Sequence, residues 1–298
     1  MAGLIDKALV PVAGRGTRLL PATKAQPKEM LPVGGKPVVQ HVVEELAHAG
    51  VRDLLFVTAR GKGSIEDHFE PDPDLIEALR KSGKQDLVPS VDASQLVPNV
   101  YYTRQPVPRG LGDAIQHGRA FVGNEPFIVA LGDSIIGLRG GATATRRTAR
   151  VFVEWGADAA VAVEEVRPDQ VASYGIVRPM AVGEVFRVAT IVEKPEPKAA
   201  PSRLAVAGRY IFSPTIFQAL QDVRPDANGE IQLTDAIRSI AEGGGKVIGV
   251  RLRRGEERYD IGNLRSYYET FFRFALADAE HGSRLRAYLR SHMTDRSG

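Results

Sequence analysis

Short apolar runs alternate with helix-patterned segments along the first half of this sequence, and that alternation restricts the fold more than any other feature. Residues 7–12 form an apolar run that ends at Gly14, the pattern of a buried strand feeding a glycine turn. Val39, Val42, Val43 and Leu46 recur at helical spacing within Val38–Ala49, and Gly50 stands where a helix calls for a residue of positive φ. Residues 54–58 are apolar and β-branched, a second strand. Ser64 is placed to cap a helix over 65–69, with Asp67 at the third position in capping-box style. Residues 100–103 read as strand, 111–121 as helix, and 127–131 as a strand ending at Gly132-Asp133. Strands alternating with helices predict an α/β fold with a mixed, mainly parallel sheet flanked by helices.

The second half is richer in strand. Residues 159–163, 175–177, 186–192 and 204–212 read as strands, with a late one at 247–252. Residues 215–220 and 232–242 read as helices, the latter stopped by Gly243-Gly244-Gly245. A helix is expected over 264–279 and a further helical piece to about His292. Residues 71–99 mix a helix at 75–81 with a Pro/Ser/Asp loop, the pattern of an insertion or a lid. No linker, low-complexity tract or repeat divides the chain. The expectation is one domain over 1–298, with halves at about 1–140 and 141–263 followed by C-terminal helices at 264–298.

Composition narrows the function classes. Lys and Arg number 39 against 36 Asp and Glu, an excess too small to argue for nucleic acid but compatible with a local basic pocket. The absence of Cys excludes disulfides, thiolate metal sites and Cys nucleophiles. The N-terminal apolar run is too short for a signal peptide, and no stretch approaches the roughly 20 apolar residues that span a bilayer. These points lead to the expectation of a cytoplasmic protein without membrane partners. The six His show no metal spacing. Arg146, Arg147 and Arg150 read as a solvated helix face.

The densest chemistry lies in Gly14-Arg15-Gly16-Thr17-Arg18-Leu19-Leu20-Pro21, continuing to Pro27-Lys28-Glu29-Met30-Leu31-Pro32. A glycine turn after a first strand lets backbone N–H groups approach a ligand closely and form an anion nest. Arg15, Arg18, Lys24 and Lys28 add positive charge, as a triphosphate requires. The string lacks the Gly-Lys-Ser/Thr ending of a Walker loop and the third glycine of a dinucleotide fingerprint.

This string resembles the signature of the sugar-1-phosphate nucleotidylyltransferases, and its Pro-Lys-Glu-Met-Leu-Pro ending is most similar to the bacterial UTP–glucose-1-phosphate uridylyltransferases. The resemblance continues in Arg104-Gln105, Gly110-Leu111-Gly112, Tyr174-Gly175-Ile176-Val177, Val192-Glu193-Lys194-Pro195, Gly208-Arg209-Tyr210, Glu230-Ile231-Gln232-Leu233-Thr234-Asp235 and Asp260-Ile261-Gly262-Asn263. It covers about residues 7–274. It implies a Rossmann-like fold of the nucleotide-diphospho-sugar transferase kind, with a β-rich sugar-binding half. The implied reaction joins UTP to glucose 1-phosphate with Mg²⁺ and releases pyrophosphate.

In that reading Ala13, Gly14, Arg15, Gly16 and Thr17 hold the nucleotide, while Glu29 and Gln105 read the uracil edge beside Gly110. A Gln amide can both donate and accept, which suits an imide. Lys28 would neutralise the triphosphate, Arg18 the leaving pyrophosphate, and Lys194 the sugar phosphate. Glu193 would accept from sugar hydroxyls and Gly175 would let the sugar approach the backbone. Asp133 and Asp260 would hold the metal. Two departures stand out: Leu131-Gly132-Asp133 where the uridylyltransferases usually have Leu-Pro-Asp, and Asp113 where the family pattern ends in His. The Gly form is more similar to the thymidylyltransferases, so a dTTP enzyme is the nearest alternative. A non-catalytic nucleotide-sugar-binding regulator is the alternative of another class, opposed by the retained Arg18, Lys28, Asp133, Lys194 and Asp260. Tyr267, Tyr268, Phe271, Phe272 and Phe274 exceed one helical face, so a homo-oligomer (dimer or tetramer) is expected.

Overall fold

The computed structural model describes residues 4–138 and 143–294. A nine-stranded sheet runs through the molecule. In chain order its strands are β1 (Lys7–Pro11), β2 (Asp53–Thr58), β3 (Asn99–Arg104), β4 (Phe127–Ala130), β5 (Ala159–Glu165), β6 (Gly175–Pro179), β7 (Val185–Glu193), β8 (Leu204–Phe212) and β9 (Val247–Arg251). Their spatial order is β3-β2-β1-β4-β8-β5-β9-β7-β6. β1 to β4 are mutually parallel, as the alternating first half predicts. Only β8 and β7 run against the rest, and both belong to the second half. The sheet is therefore mixed, with seven of its nine strands pointing one way.

Strand periodicity sorts the core onto two faces. Ala8 and Val10 join Val39, Val42, Val43 and Leu46 of the helix Val38–Ala49, whereas Leu9 joins Ile115, Phe127 and Val129 on the other side. All nine residues of β8 are buried, because helices cover both faces at the sheet's centre. Gly50 ends its helix with φ 96°, as its position predicts.

Several expectations change in detail. Ser64 does not cap its helix. The helix is Gly63–Phe69, Lys62 precedes it, and no side chain caps it, so Ser64 sits within the first turn. The helix expected over 111–121 breaks into Gly110–Gln116 and Arg119–Val122. At the break a Cβ on Gly118 would lie 2.6 Å from Leu9, so this backbone packs directly on β1. The segment 71–99 holds the helix Pro73–Lys81, capped by Asp72, which accepts from the Leu75 N–H at 2.9 Å. That helix buries no residue, while Ala93 and Val97 tie the end of the segment to the core. The C-terminal helices are Leu264–Ala277 and Gly282–Thr294. Among the described residues, no helix is long and apolar enough to cross a membrane.

Two buried ion pairs lock the layers together. Arg209 of β8 is wholly buried and donates to both carboxylate oxygens of Glu45, at 3.0 and 2.6 Å, and to the Ser134 carbonyl at 2.8 Å. Thr145 donates to the same carboxylate, so the charge is compensated on every side. The second pair corrects the solvated reading of Arg147. Arg146 and Arg150 are exposed, but Arg147 is buried and grips Glu256 through two bonds of 2.7 Å. Burial alone would raise the Glu256 carboxyl; the bonds from Arg147 and from the Arg253 N–H outweigh it and hold the group at about 2, against an ordinary 4.5. A carboxylate depressed in the folded state stabilises the fold above its unfolded value and loses that contribution as pH falls through the folded one. Urea stability should therefore decline between about pH 4.5 and 2 partly through this group. Glu256→Gln should lower stability at pH 7 and flatten that part of the pH profile; an unchanged slope would refute the assignment.

Candidate active site

The glycine turn, the basic loop and Asp133 all leave the carboxyl ends of parallel strands, where open α/β sheets place their ligands. Gly16 needs its glycine, with φ 65°, and its carbonyl accepts from Thr23 Oγ1 at 2.8 Å. Gly14 is not forced sterically, since a Cβ there would come no closer than 3.9 Å to Lys28; its missing side chain leaves the cavity open. Lys28 and Glu29 sit on a tight 3-10 turn, Lys28–Met30.

A small apolar cluster aims the charged groups. Leu19, Leu31, Ile135 and Ile261 pack together with Val33, Val38, Tyr259 and Phe274. Each of the first four lies within three residues of Arg18, Lys28, Asp133 or Asp260. Burying the apolar neighbour fixes where the charged side chain emerges. A short antiparallel ladder, Ser134–Ile136 with Arg258–Asp260, sets Asp260 opposite Ser134, and the Ile261 N–H donates to the Asp133 carbonyl at 3.2 Å. The two aspartates, 127 positions apart in sequence, are thus brought together by backbone pairing.

The electrostatics follow. Lys28 forms an ion pair with Asp133. Burial alone would raise the Asp133 carboxyl, but the Lys28 contact outweighs it and the group titrates below its ordinary range. Asp260 is pushed up, first by burial and then by the negative charge of Asp133. The Gly262 N–H donates to Asp260 Oδ1 at 2.8 Å, and a Cβ on Gly262 would stand 3.4 Å from Arg18 Nη2, so Arg18 closes on the same spot. For Lys28 burial acts downward, yet Asp133, Glu29 and Asp260 together hold its ammonium well above the usual range.

A cavity of about 640 Å³ opens beside this cluster, lined by Ala13, Gly14, Arg15, Gly16, Thr17, Lys28, Glu29, Gln105, Gly110 and Asp133. These are all of the nucleotide-site residues expected from the sequence, together with Lys28 and Asp133. Arg18, Gly175, Glu193, Lys194 and Asp260 lie outside its lining. Glu29 is 1 % exposed, and its carboxyl is raised by burial against the pull of Lys62, which donates to it at 2.8 Å. Gln105 is buried, and its amide nitrogen donates to the Gly110 carbonyl at 3.2 Å and to Asp113 at 2.6 Å. Both amide hydrogens are therefore engaged within the protein. That changes the expectation of a side chain free to donate as well as accept.

In the second half, Gly175 and Glu193 pair across β6 and β7. A Cβ on Gly175 would stand 2.8 Å from Thr234 Cγ2 and 3.3 Å from Glu193 Oε2, so the close approach is made by Thr234. Lys194 adopts φ 41°, the left-handed region that few non-glycine residues enter, and its Nζ reaches Glu193 at 3.1 Å. The Gly132 departure has a packing cause: a Cβ there would fall 2.6 Å from Val12. Lys62 carries no motif that singles it out, and Asp113 is marked in the sequence only as a departure from the family pattern, with no sign that it partners Gln105. Lys62 follows the second parallel strand, and that position is the one signal that points to it.

Comparison with known proteins agrees with this arrangement. The model of the nucleotidyl transferase family matches residues 7–275. UTP–glucose-1-phosphate uridylyltransferase YngB of Bacillus subtilis is 42% identical over 286 residues, 96% of this chain and 94% of that protein. The UTP–glucose-1-phosphate uridylyltransferase of Streptococcus pyogenes is 41% identical over 289 residues, 96% and 93% of the two chains. Among solved structures, a UTP-bound UGPase from Acinetobacter baumannii superposes with TM-score 0.85 at 33% identity, covering 96% of this chain and 98% of that one. A UDP-glucose pyrophosphorylase complexed with UDP-glucose gives TM-score 0.77 at 37% identity, over 89% and 97%. A glycine turn, paired aspartates and basic loop in one fold, matched across nearly the whole length by such relatives, make this chain a member of the nucleotidyl transferase family.

Proposed function

We propose that the chain transfers the uridylyl group of UTP to glucose 1-phosphate, forming UDP-glucose and pyrophosphate. The observation that carries the reading is the charge cluster beside the open glycine turn: Lys28 and Asp133 line the cavity, and Asp260 stands next to them outside its lining. The relatives' named substrates support UTP over dTTP. Gly132 no longer argues for thymidine, because Val12 accounts for it.

The chemistry needs no side-chain nucleophile. A phosphate oxygen of the sugar phosphate attacks the α-phosphorus; the bond from that phosphorus to the β-bridging oxygen breaks, and its electron pair leaves on pyrophosphate. Alignment and charge neutralisation supply the rate. The glycine turn offers backbone N–H groups to the phosphates. Lys28 exchanges its present partner Asp133 for phosphate oxygens, and Arg18 offsets charge on the leaving pyrophosphate. Lys194, displaced into the left-handed region beside Glu193, holds the incoming sugar phosphate while Glu193 accepts from sugar hydroxyls. The donor set fits a hard divalent cation such as Mg²⁺, because two neighbouring carboxylates, one raised by burial and by the other's charge, gain from a shared cation. Asp133 and Asp260 would hold it, and it would supply charge neutralisation at the α-phosphate. We read the parallel strands β1 to β4 as the nucleotide half and β5 to β9 as the sugar half of one domain. The exposed Tyr268, Phe271 and Phe272 support a homo-oligomer.

A screen of pyrophosphate release over nucleoside triphosphates and sugar 1-phosphates should peak at UTP with glucose 1-phosphate; a dTTP preference above about tenfold would replace the uridylyl reading. Asp133→Asn should lower turnover by at least about a hundredfold, the scale of one lost electrostatic partner, while circular dichroism stays native. Retention of most of the rate would end the metal assignment. Lys194→Ala should raise the KM for glucose 1-phosphate about tenfold or more and leave that for UTP nearly unchanged, as expected for one lost charged hydrogen bond. An unmoved sugar-phosphate KM would contradict the role.

A further inference from the structure

Asp113 stands where the family pattern ends in His, and it is the partner that fixes Gln105. An amide side chain has one accepting oxygen and two donating hydrogens, and the two ends are set apart only by their partners. Here both partners of the Gln105 nitrogen, the Gly110 carbonyl and the Asp113 carboxylate, can only accept. The amide cannot flip without turning its oxygen onto two other oxygens. His117 approaches Asp113 only to 3.6 Å, so the 2.6 Å bond to Gln105 is the shorter and dominant contact of that carboxylate. Gln105 lines the cavity, no described protein group donates to its Oε1, and the main chain around it is held by its N–H donating to the Thr58 carbonyl at 2.9 Å.

We propose that Asp113 is a specificity-determining positioning residue that locks Gln105 as a pure acceptor, so that the cavity takes a base with an N–H at the centre of its pairing edge. Uracil and thymine carry that N3–H. Cytosine presents a lone pair at the same atom, and the locked oxygen would face it lone pair to lone pair. Leaving a buried acceptor unpaired against another acceptor costs more than the bond gained with the right partner. The inference deepens the proposed function and rests on the expectation from the sequence that the base of UTP meets Gln105 in this cavity. It sorts imide bases from cytosine and does not separate UTP from dTTP.

Calorimetric titration of the full chain with UTP and with CTP reads this selectivity whether or not transfer occurs. Failure of the transfer reading would appear separately, as absent pyrophosphate release with UTP and glucose 1-phosphate. The unaltered chain should bind UTP at least about tenfold more tightly than CTP. Asp113→Asn, whose amide can offer either a hydrogen or an oxygen to Gln105, should narrow that ratio about tenfold with an unchanged melting temperature. Asp113→Glu, which restores an acceptor, should keep most of the ratio and covers the case in which the Asn variant folds poorly. In a Gln105→Ala background, Asp113→Asn should leave the UTP/CTP ratio unmoved, since its target is gone. A ratio that survives Asp113→Asn, or one that narrows equally with and without Gln105, would overturn the proposal.

Discussion

Two aspartates of like charge are forced together beside a cavity, and the surrounding cations make that tolerable. Asp133 leaves the end of β4 and Asp260 arrives on the opposing strand of a short ladder. Burial and then the charge of Asp133 raise the Asp260 carboxyl, while the Lys28 ammonium holds Asp133 below its ordinary range. On the proposed reading such a site takes cation and phosphate together. The lysine that satisfies it in the free protein is also the one a triphosphate would recruit.

The backbone rather than the side chains provides the accuracy of this arrangement. Leu19, Leu31, Ile135 and Ile261 are ordinary core residues, but each is a near neighbour of a charged one. Their packing sets the direction from which Arg18, Lys28, Asp133 and Asp260 emerge. The same logic explains the glycines. Gly16 supplies a left-handed turn, whereas Gly132 and Gly175 yield room to Val12 and Thr234. Gly175, which reads in the sequence as a glycine left open for a sugar, also makes a close contact within the protein.

Much of this was legible from the chain alone. The apolar period gives β1 to β4, the helix Val38–Ala49 and its glycine stop, because those signals are local. The basic loop and Asp133 follow from their place at strand ends. The reversed strands, the break at Gly118 and the burial of Arg147 were not legible, since each depends on a partner far away in the chain. Three arginines on one helix look alike in sequence; only the arrival of Glu256 beside the second tells them apart. The roles of Lys62 and Asp113 escape for another reason. Nothing near them in the chain hints that Glu29 or Gln105 will need a partner.

The Arg209–Glu45 pair carries a consequence for how such a chain can drift. Arg209 also holds the carbonyl of Ser134, the residue after Asp133, so the cavity wall is bolted to the innermost layer of the molecule. Changing either member alone strands a charge in the interior and loosens the bolt at once. Viable descendants must exchange the two together or keep both, whatever happens to the nucleotide they accept. Selectivity can wander at the rim, at positions such as Asp113, while the interior hinge-pin stays frozen.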